Sequence, residues 1–491
     1  MKRSAGILLH LSSLPSPYGI GTLGKAAYEF TDFLKAAGQT YWQMLPIGPT
    51  GYGDSPYQSS ASFGGNPYFV DLDILEQEGL LTREELCLFQ WGGDPQQVDY
   101  GLLYQNRGVL LRRAYDRWDG RKEAEYRSFL EENGSWLVDY AEFAALKERF
   151  GGLSWLEWPE TYRNPETVPE KVRESLEEEV NYHCFVQFLF FRQWNALRRY
   201  ANGQGVYLIG DLPFYSALDS ADVWANPEQF QLDERRNPTA VAGVPPDCFS
   251  KNGQLWGNPL YDWDFMRQDG YSWWIRRMRR GVALFDSVRL DHFRGLESYW
   301  AVPFGETDGS AGRWEEGPAM ELIRRFREEV PEAKIIAEDL GLLTPQAKRF
   351  TRQTGYPGMK VLQFAFDGHK DNPYLPENCP ENSVVYTGTH DNDTLAGWLS
   401  RMNREEREQV RDALGVKGAG SLHRIILECG TRCRGELFLV PMQDYLNLGS
   451  KARMNVPGTA QGNWVWRMKP GVLTEGLAKQ IREYAELGKR I

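Results

Sequence analysis

Eight short runs of apolar and β-branched residues recur along the chain, and helical patterns separate most of them. The runs lie at residues 5–9, 40–45, 206–210, 285–290, 334–337, 359–364, 384–388 and 436–441. An alternation of strand and helix is typical of parallel sheets. Eight strands are the number that a closed (β/α)8 barrel, the TIM-barrel fold, requires. An open, doubly wound sheet would give the same local pattern, so a further observation has to separate the two folds.

Two long segments interrupt the spacing of the eight runs. Residues 47–204 contain helix-like, charge-rich stretches, which predicts a mostly helical subdomain inserted in the barrel. Residues 212–283 are rich in Pro, Asn, Trp and Phe and are too long for an ordinary connection, which predicts a substrate-loop subdomain. Little more than one helix follows the segment 447–468. Residues 1–491 are therefore predicted to form a single catalytic barrel with insertions in its βα loops and no separate C-terminal β-domain.

Composition restricts the partners and the compartment. The chain has 56 Lys and Arg residues against 67 Asp and Glu residues, a formal charge of −11. This balance argues against nucleic acid, because binding phosphates requires the opposite sign. No run approaches the roughly 18 apolar residues of a membrane span, so no membrane partner is predicted. The six cysteines are scattered, and only Cys429 and Cys433 lie close together. This pattern predicts reduced thiols in a cytoplasmic protein, with no structural metal.

Three of the apolar runs are followed by a carboxylate. Asp291, Glu338 and Asp391 each come at or shortly after the end of such a run. Because all strands of a parallel β/α barrel end at one rim, the three carboxylates can converge on one substrate. This convergence favours the closed barrel over the open sheet. A pair of carboxyl groups plus a third is what cleavage of a glycosidic bond requires, so the pattern predicts a site that acts on sugars.

The neighbours of each acid suggest its role. If Arg289, two positions before Asp291, points into the same rim, its charge would keep Asp291 ionised and nucleophilic. Glu338 follows the apolar residues Ile335–Ala337, so partial burial would raise its pKa and suit it to acid/base work. Asp391, between a histidine and an asparagine, could bind two sugar hydroxyls and hold them as the ring distorts.

Each acid also has a structural alternative. A strand-end aspartate most often caps the helix that follows, and this alternative stays open for Asp391, which lies in an Asp-Asn-Asp-Thr run. Asp211, at the end of the third run, could orient a neighbour or contact a ligand. Metal binding by His292 and His390 together with their adjacent aspartates is disfavoured, because consecutive residues of an extended strand point to opposite sides.

Nine motifs carry a resemblance to a known family. In chain order they are Ser13-Leu14-Pro15-Ser16-Pro17-Tyr18-Gly19-Ile20-Gly21, Gly53-Asp54-Ser55-Pro56-Tyr57-Gln58, Gly210-Asp211-Leu212-Pro213, Pro245-Pro246-Asp247, Leu255-Trp256-Gly257-Asn258-Pro259, Arg289-Leu290-Asp291-His292-Phe293-Arg294-Gly295, Glu338-Asp339-Leu340-Gly341, Thr389-His390-Asp391-Asn392, and Pro457-Gly458-Thr459 with Asn463-Trp464. Together they resemble the 4-α-glucanotransferases, called amylomaltases or disproportionating enzymes, of the α-amylase clan. The resemblance covers the whole chain.

The resemblance implies a role for particular residues. Asp291 would be the nucleophile, Glu338 the acid/base, and Asp391 the carboxylate that binds and distorts the sugar. Further residues would contact the substrate: Ser55, Tyr57, Asp211, Phe249, Gln254, Trp256, Asn258, Arg289, His292, His390 and Asn463. The stretch 247–258 would be a flexible loop over the donor and acceptor sugars. The family needs no cofactor and no metal.

The implied activity is transfer of segments of α-1,4-glucans to the 4-hydroxyl of an acceptor by a retaining double displacement. The expected partners are maltooligosaccharides, amylose or glycogen-type α-glucans, with glucose as an acceptor. An α-1,4-glucan hydrolase with the same carboxylates is the alternative, and the chemistry of the residues alone does not separate the two. A catalytically silent carbohydrate-binding protein is disfavoured, because binding alone would not require all three acids.

Overall fold

A computed structural model describes residues 3–51, 53–246, 251–341, 343–416 and 420–491 of the chain. Its β-strands are, in chain order, β1 Ser4–Leu8, β2 Tyr41–Gln43, β3 Tyr207–Leu212, β4 Ala240–Val244, β5 Gln254–Pro259, β6 Ser287–Leu290, β7 Ser298–Pro303, β8 Arg313–Glu316, β9 Ile335–Ala337, β10 Gly358–Val361, β11 Ser383–Tyr386 and β12 Leu437–Pro441.

Eight of these strands form a closed barrel. Their order around it is β1-β12-β11-β10-β9-β6-β3-β2, and neighbouring strands run parallel. Each barrel strand overlaps one of the eight apolar runs, so the predicted (β/α)8 fold is confirmed. The carboxyl ends of all eight strands therefore meet at one rim, where loops can build a site.

Side chains fill the interior of the barrel. They form a buried cluster of their own, made of Ile209, Ile336, Met359, Val361, Val384, Tyr386, Leu437 and Leu439. A barrel packed in this way is a solid core rather than a pore. A ligand can therefore bind at the rim and in its loops, and not through the middle.

The α-helices lie between the barrel strands and in the first insertion. They are α1 Lys25–Ala36, α2 Leu72–Gln77, α3 Arg83–Cys87, α4 Tyr100–Arg117, α5 Ala124–Arg149, α6 Glu170–Ser175, α7 Glu177–Gly203, α8 Ala221–Ala225, α9 Trp263–Gln268, α10 Ser272–Leu284, α11 Met320–Glu329, α12 Pro345–Thr354, α13 Leu395–Arg401, α14 Arg404–Ala413, α15 Leu422–Arg432, α16 Met442–Tyr445 and α17 Glu475–Leu487. Within the described residues, no helix has the length and apolar character needed to cross a membrane.

Helix α5 differs from the helices that the sequence predicts in this region. The sequence suggests two separate helical stretches, 122–133 and 138–150, on either side of Gly134-Ser135. The structure has one helix of 26 residues that runs through both. Trp136 and Leu137 are buried, and burying such side chains is worth about 1.5–3 kcal/mol each. This gain exceeds the roughly 1 kcal/mol that a glycine costs inside a helix.

A second sheet, which we did not predict, lies beside the barrel. Its antiparallel strands follow the order β5-β4-β7-β8. Strands β4 and β5 belong to the segment 212–283, whereas β7 and β8 come after β6, so the sheet joins two loops of the rim. Short strands whose partners lie far away in sequence leave little local signal. Residues 247–250, between β4 and β5, lie outside the described residues.

The seam between β1 and β12 closes the barrel. Ser4 to Leu8 pair in register with Leu437 to Pro441. One buried side chain, that of Arg490, reinforces this seam. Its guanidinium donates hydrogen bonds to the carbonyl oxygens of Ser4, Thr431, Cys433, Gly435 and Glu436. A single residue thus ties the first barrel strand to the segment that leads into the last one.

Candidate active site

Charged side chains gather at the carboxyl ends of adjacent barrel strands. Asp211 lies in β3 and Arg289 in β6, and the register of the barrel sets these two residues opposite each other. Asp291 directly follows β6, and Glu338 directly follows β9. Asp391 lies on the loop after β11. Because β3, β6 and β9 are neighbours in the barrel, the first four side chains come together at the rim.

Arg289 is the centre of the charged group. Its Nη1 donates to both oxygens of Asp211, at 2.7 and 2.8 Å, and lies 2.9 Å from Asp291 Oδ1. Burial opposes the charge of Arg289, but the charges of Asp211 and Asp291 raise its pKa well above the ordinary value. The side chains of Arg289 and Asp211 are almost fully buried, whereas that of Asp291 is 26% exposed. Asp291 is therefore the member of this group that a ligand can reach.

Tyr57 completes the shell of Asp211. Its hydroxyl donates to Asp211 Oδ2 at 2.8 Å. Burial raises the pKa of Tyr57 well above its ordinary value, with the charge of Asp211 adding to the effect. The phenol thus stays protonated and acts as a donor. A buried carboxylate that accepts from both a guanidinium and a phenol is fully engaged, so Asp211 serves to hold Arg289 in place.

Glu338 lies in a different environment. Its Oε2 accepts from the N–H of His292 at 2.8 Å, and its Oε1 accepts from the N–H of Leu340 at 3.1 Å. Burial raises the pKa of Glu338 to about 8, although the charge of Arg289 opposes the shift. The group therefore carries a proton at neutral pH. His292 has a left-handed backbone conformation with φ of 42°, an uncommon geometry for a non-glycine residue.

Asp391 lies on the far side of the rim and is more exposed than Asp291. Its side chain is 46% exposed, and its Oδ1 is 3.3 Å from His390 Nε2. Asn455 Nδ2 donates to the same oxygen at 2.6 Å. The ring of His390 stacks on Tyr57, with centroids 5.0 Å apart and planes 20° apart. Through Tyr57, this part of the site is connected to Asp211 and the charged group.

Aromatic rings line the side of the site formed by β5. Trp256 meets His292 edge to face, with ring centroids 5.0 Å apart. Its Nε1 donates to Gln254 Oε1 at 3.2 Å. Burial lowers the pKa of His292 to about 4, so its imidazole is neutral at pH 7. Flat apolar faces next to neutral hydrogen-bonding groups suit an uncharged sugar.

Three predicted substrate contacts hold loops in the structure. Asn258 is buried, and its Nδ2 donates to Ser216 O at 2.9 Å. Ser55 Oγ accepts from the N–H of Tyr57 at 3.3 Å. Asn463 Oδ1 accepts from a backbone N–H of its own turn at 2.9 Å. Contact of these side chains with a substrate stays a prediction. Phe249 lies outside the described residues.

Sequence reasoning missed the residues that hold Asp391. Asn455 binds its carboxylate, and Arg453 donates to its backbone carbonyl oxygen. The one sequence signal that could have identified Asn455 and Arg453 was their position directly before the Pro457-Gly458-Thr459 motif. Within the residues that the structure describes, no cluster of three or more His, Cys, Asp or Glu side chains could hold a metal ion.

The eight-stranded barrel, with acids at the C-terminal rim, defines the class of protein. Carboxyl groups gathered at the rim of such a barrel, beside neutral aromatic side chains, are typical of enzymes that act on glycosidic bonds. The sequence model of the 4-α-glucanotransferase family matches residues 9–474, so the chain belongs to that family.

Individual relatives agree with this assignment over the whole chain. A 4-α-glucanotransferase of Thermus thermophilus is 46% identical over 504 residues, which cover 100% of each protein. One of Clostridium butyricum is 45% identical over 477 residues, which cover 96% of this chain and 98% of that one. The solved amylomaltase of Streptococcus agalactiae, in complex with acarbose, superposes with a TM-score of 0.97 at 37% identity, with 100% of both chains covered. The predicted 4-α-glucanotransferase activity on α-glucans is thereby confirmed, and the hydrolase alternative is not favoured.

Proposed function

We propose that Asp291, Glu338 and Asp391 carry out the transfer by a retaining double displacement. One observation carries this proposal: the two acids next to Arg289 differ in their surroundings. Asp291 lies 2.9 Å from the guanidinium of Arg289, whereas Glu338, half-buried like Asp291, accepts from two backbone N–H groups and has a pKa that burial raises to about 8. Two carboxyl groups in such different environments suit the roles of nucleophile and acid.

In the first step, Asp291 Oδ attacks the anomeric carbon of the donor glucan. The bond from that carbon to the leaving oxygen breaks, and Glu338 gives its proton to this oxygen. The products are a shorter glucan and a glycosyl ester on Asp291. Glu338 is left as a carboxylate, which the backbone N–H groups of His292 and Leu340 stabilise.

In the second step, the 4-hydroxyl of an acceptor sugar approaches the same carbon. Glu338 removes the hydroxyl proton, the oxygen bonds to the anomeric carbon, and the ester bond to Asp291 breaks. Two inversions restore the α configuration. Both acids return to their starting protonation states, so no external proton donor or cofactor enters the cycle.

Asp391 is proposed to bind hydroxyls of the sugar at the cleavage point and to favour its distorted ring. Its exposed carboxylate is available for this contact, and Asn455 Nδ2 and His390 Nε2 orient it. Arg289, Asp211, Tyr57, His292 and His390 are proposed to surround the same sugar. Trp256 and Gln254, on β5, are proposed to contact the neighbouring sugars.

Transfer competes with hydrolysis, so water must be disfavoured against an acceptor sugar. The 247–258 segment is proposed to cover the bound sugars and to exclude water.

The proposed substrates are maltooligosaccharides, amylose and glycogen-type α-glucans, and glucose is a proposed acceptor. The net charge of −11 disfavours nucleic acid, and the described cysteines are free, which agrees with a reducing cytoplasm.

Incubation of the purified protein with maltotriose tests this proposal. We expect a ladder of longer maltooligosaccharides and released glucose, with little rise in total reducing ends, resolved by chromatography. Only shorter sugars with rising reducing ends would instead indicate hydrolysis. The Asp291→Asn variant is the matched control, because it removes the proposed nucleophile and keeps nearly the same shape.

A further inference from the structure

The loop between β11 and α13 carries His390 and Asp391, and one carboxylate holds both of its ends. At the start of the loop, the Thr387 hydroxyl donates to Asp444 Oδ2 at 2.6 Å. At the end, the backbone N–H of Leu395 donates to Asp444 Oδ1 at 2.7 Å. Asp444 lies in α16, directly after β12, and is 1% exposed. A side chain from the short helix after the neighbouring barrel strand thus spans the base of this loop.

Hydrogen bonds inside the loop make the segment between the two anchors behave as one unit. Asn392 Oδ1 accepts from the N–H and from the hydroxyl of Thr389, at 2.8 and 2.9 Å. The N–H of Asp391 donates to the same hydroxyl at 3.3 Å. A shift of Thr387 or Leu395 would therefore be passed on to Asp391.

Apolar packing supports this loop only in part, because a cavity lies against it. The cavity is formed between the loop and the ends of β1 and β12, and His10, Asn392, Asp444 and Arg453 are among its lining residues. Within the described residues, the buried Nδ1 of His10 has no hydrogen-bond partner. Groups that face a cavity lack the contacts that fix a core side chain. Polar contacts therefore carry a larger share of the positioning: Asn455 and Arg453 hold Asp391 directly, and Asp444 holds the two ends of the loop.

We propose that Asp444 is a positioning residue for glucan transfer: by holding Thr387 and Leu395, it fixes Asp391 and His390 against the sugar. This inference rests on the role proposed above for Asp391. Burial raises the pKa of Asp444 to about 6, so its carboxylate is ionised at pH 7 and can accept from both donors. Asp444 itself is not expected to touch the substrate.

Thr387→Val is the sharpest test, because it removes one donor and keeps the shape of a fully buried side chain. We expect kcat for maltotriose transfer to fall about tenfold or more while KM changes less than about threefold, since a shift of about 1 Å can cost roughly 10²-fold in rate. Thr387→Ser restores the hydroxyl and should recover the rate. The matched control is Thr31→Val, which removes an equally buried hydroxyl bonded to Ala27 O in α1. It should leave both constants unchanged.

Two variants of Asp444 separate geometry from charge. In Asp444→Asn, the amide can accept from the Leu395 N–H and donate to the Thr387 hydroxyl, so a positioning role predicts kcat near that of the wild type. Asp444→Ala should lose at least as much activity as Thr387→Val. If Thr387→Val keeps wild-type kcat and KM while circular dichroism shows it folded, the proposal is overturned, even if Asp444→Ala does not fold.

Asp391→Asn in the same assay keeps this inference apart from the proposed function. If Asp391→Asn turns over like the wild type, the role proposed for Asp391 is wrong, and the inference about Asp444 is overturned with it. If Asp391→Asn is inactive and Thr387→Val is unaffected, only the inference about Asp444 is overturned. Inactive Asp391→Asn together with a slowed Thr387→Val supports both.

Discussion

The two acids at the centre of the site are held in opposite ways. On the β6 side, Asp291 is 26% exposed and faces the guanidinium of Arg289 at 2.9 Å, so a side-chain charge stabilises it. On the β9 side, Glu338 is half-buried, accepts from two backbone N–H groups, and has a pKa that burial raises to about 8. Strand ends bring the acids together, but their neighbours differ, and burial raises the pKa of Glu338 so that this acid carries a proton at neutral pH.

Asp291→Asn should have the largest effect, because no other acid in the group is both reachable and paired with Arg289. We expect kcat to fall by at least about 10⁴-fold, the order seen when an enzyme loses its nucleophile. Maltotriose binding, measured by calorimetry, should persist. Turnover within tenfold of the wild type would show that the β6 side is not where the covalent bond forms.

Glu338→Gln should cost about 10²–10⁴-fold in kcat, the usual contribution of general acid–base catalysis. The comparison becomes sharper with a maltosyl fluoride donor, because fluoride leaves without a proton. With this donor, Glu338→Gln should form the glycosyl ester on Asp291, and mass spectrometry of the intact protein should detect it. Asp291→Asn should form no ester from either donor. An ester in both variants would contradict the assignment.

The pH dependence should follow the protonated state of Glu338. A general acid must carry its proton in the free enzyme, and this proton is lost as the pH rises through about 8. We therefore expect kcat/KM to decline on the alkaline side with an apparent pKa near 8, falling about tenfold per pH unit above it. A rate that stays flat to pH 10 would argue against Glu338 as the acid.

Tyr57→Phe should have the smallest effect, because it removes one hydrogen bond to Asp211 and leaves the charges of Asp211, Arg289 and Asp291 in place. The variant leaves Asp211 with one donor fewer, and losing a hydrogen bond to a charged group costs about 1.5–3 kcal/mol of unfolding free energy. Urea denaturation measures this loss. Tyr386→Phe is a control, because that hydroxyl donates to the neutral Gln43 at 2.9 Å. An equal loss in both variants would mean that the charge of Asp211 adds nothing.

The barrel could be predicted from sequence because its signal is local. Each barrel strand overlaps a short apolar run, and most of its residues are buried; the alternation with helices sets the fold class. The sheet of β4, β5, β7 and β8 could not be predicted in the same way. Trp300 pairs with Gly243 on one side and with Trp314 on the other. A local sequence pattern does not identify strand partners that lie so far apart along the chain.

The positions of the three acids at the rim were predictable for the same reason, since Asp291 and Glu338 directly follow β6 and β9 and Asp391 lies on the loop after β11. The residues that hold these acids in place could not be predicted from the sequence. Asp211 could be read as a ligand or as a structural residue, and only the bonds to Arg289 and Tyr57 show how fully it is engaged. Asp444 lies in α16 and Asn455 on the segment that follows it, and their partners lie between the end of β11 and the start of α13. Such pairings depend on which strands are neighbours in three dimensions.

The seam between β1 and β12 has a consequence for how the protein folds. Arg490 reaches Ser4 O across 486 positions of sequence, and contacts of such separation form late because the intervening chain must first be ordered. The loop that steadies Asp391 follows β12, and β12 becomes a barrel strand with neighbours on both sides only when β1 joins it. A chain that has formed its helices and most of its strands therefore still lacks a complete site. The site is therefore complete only once the seam between β1 and β12 has closed.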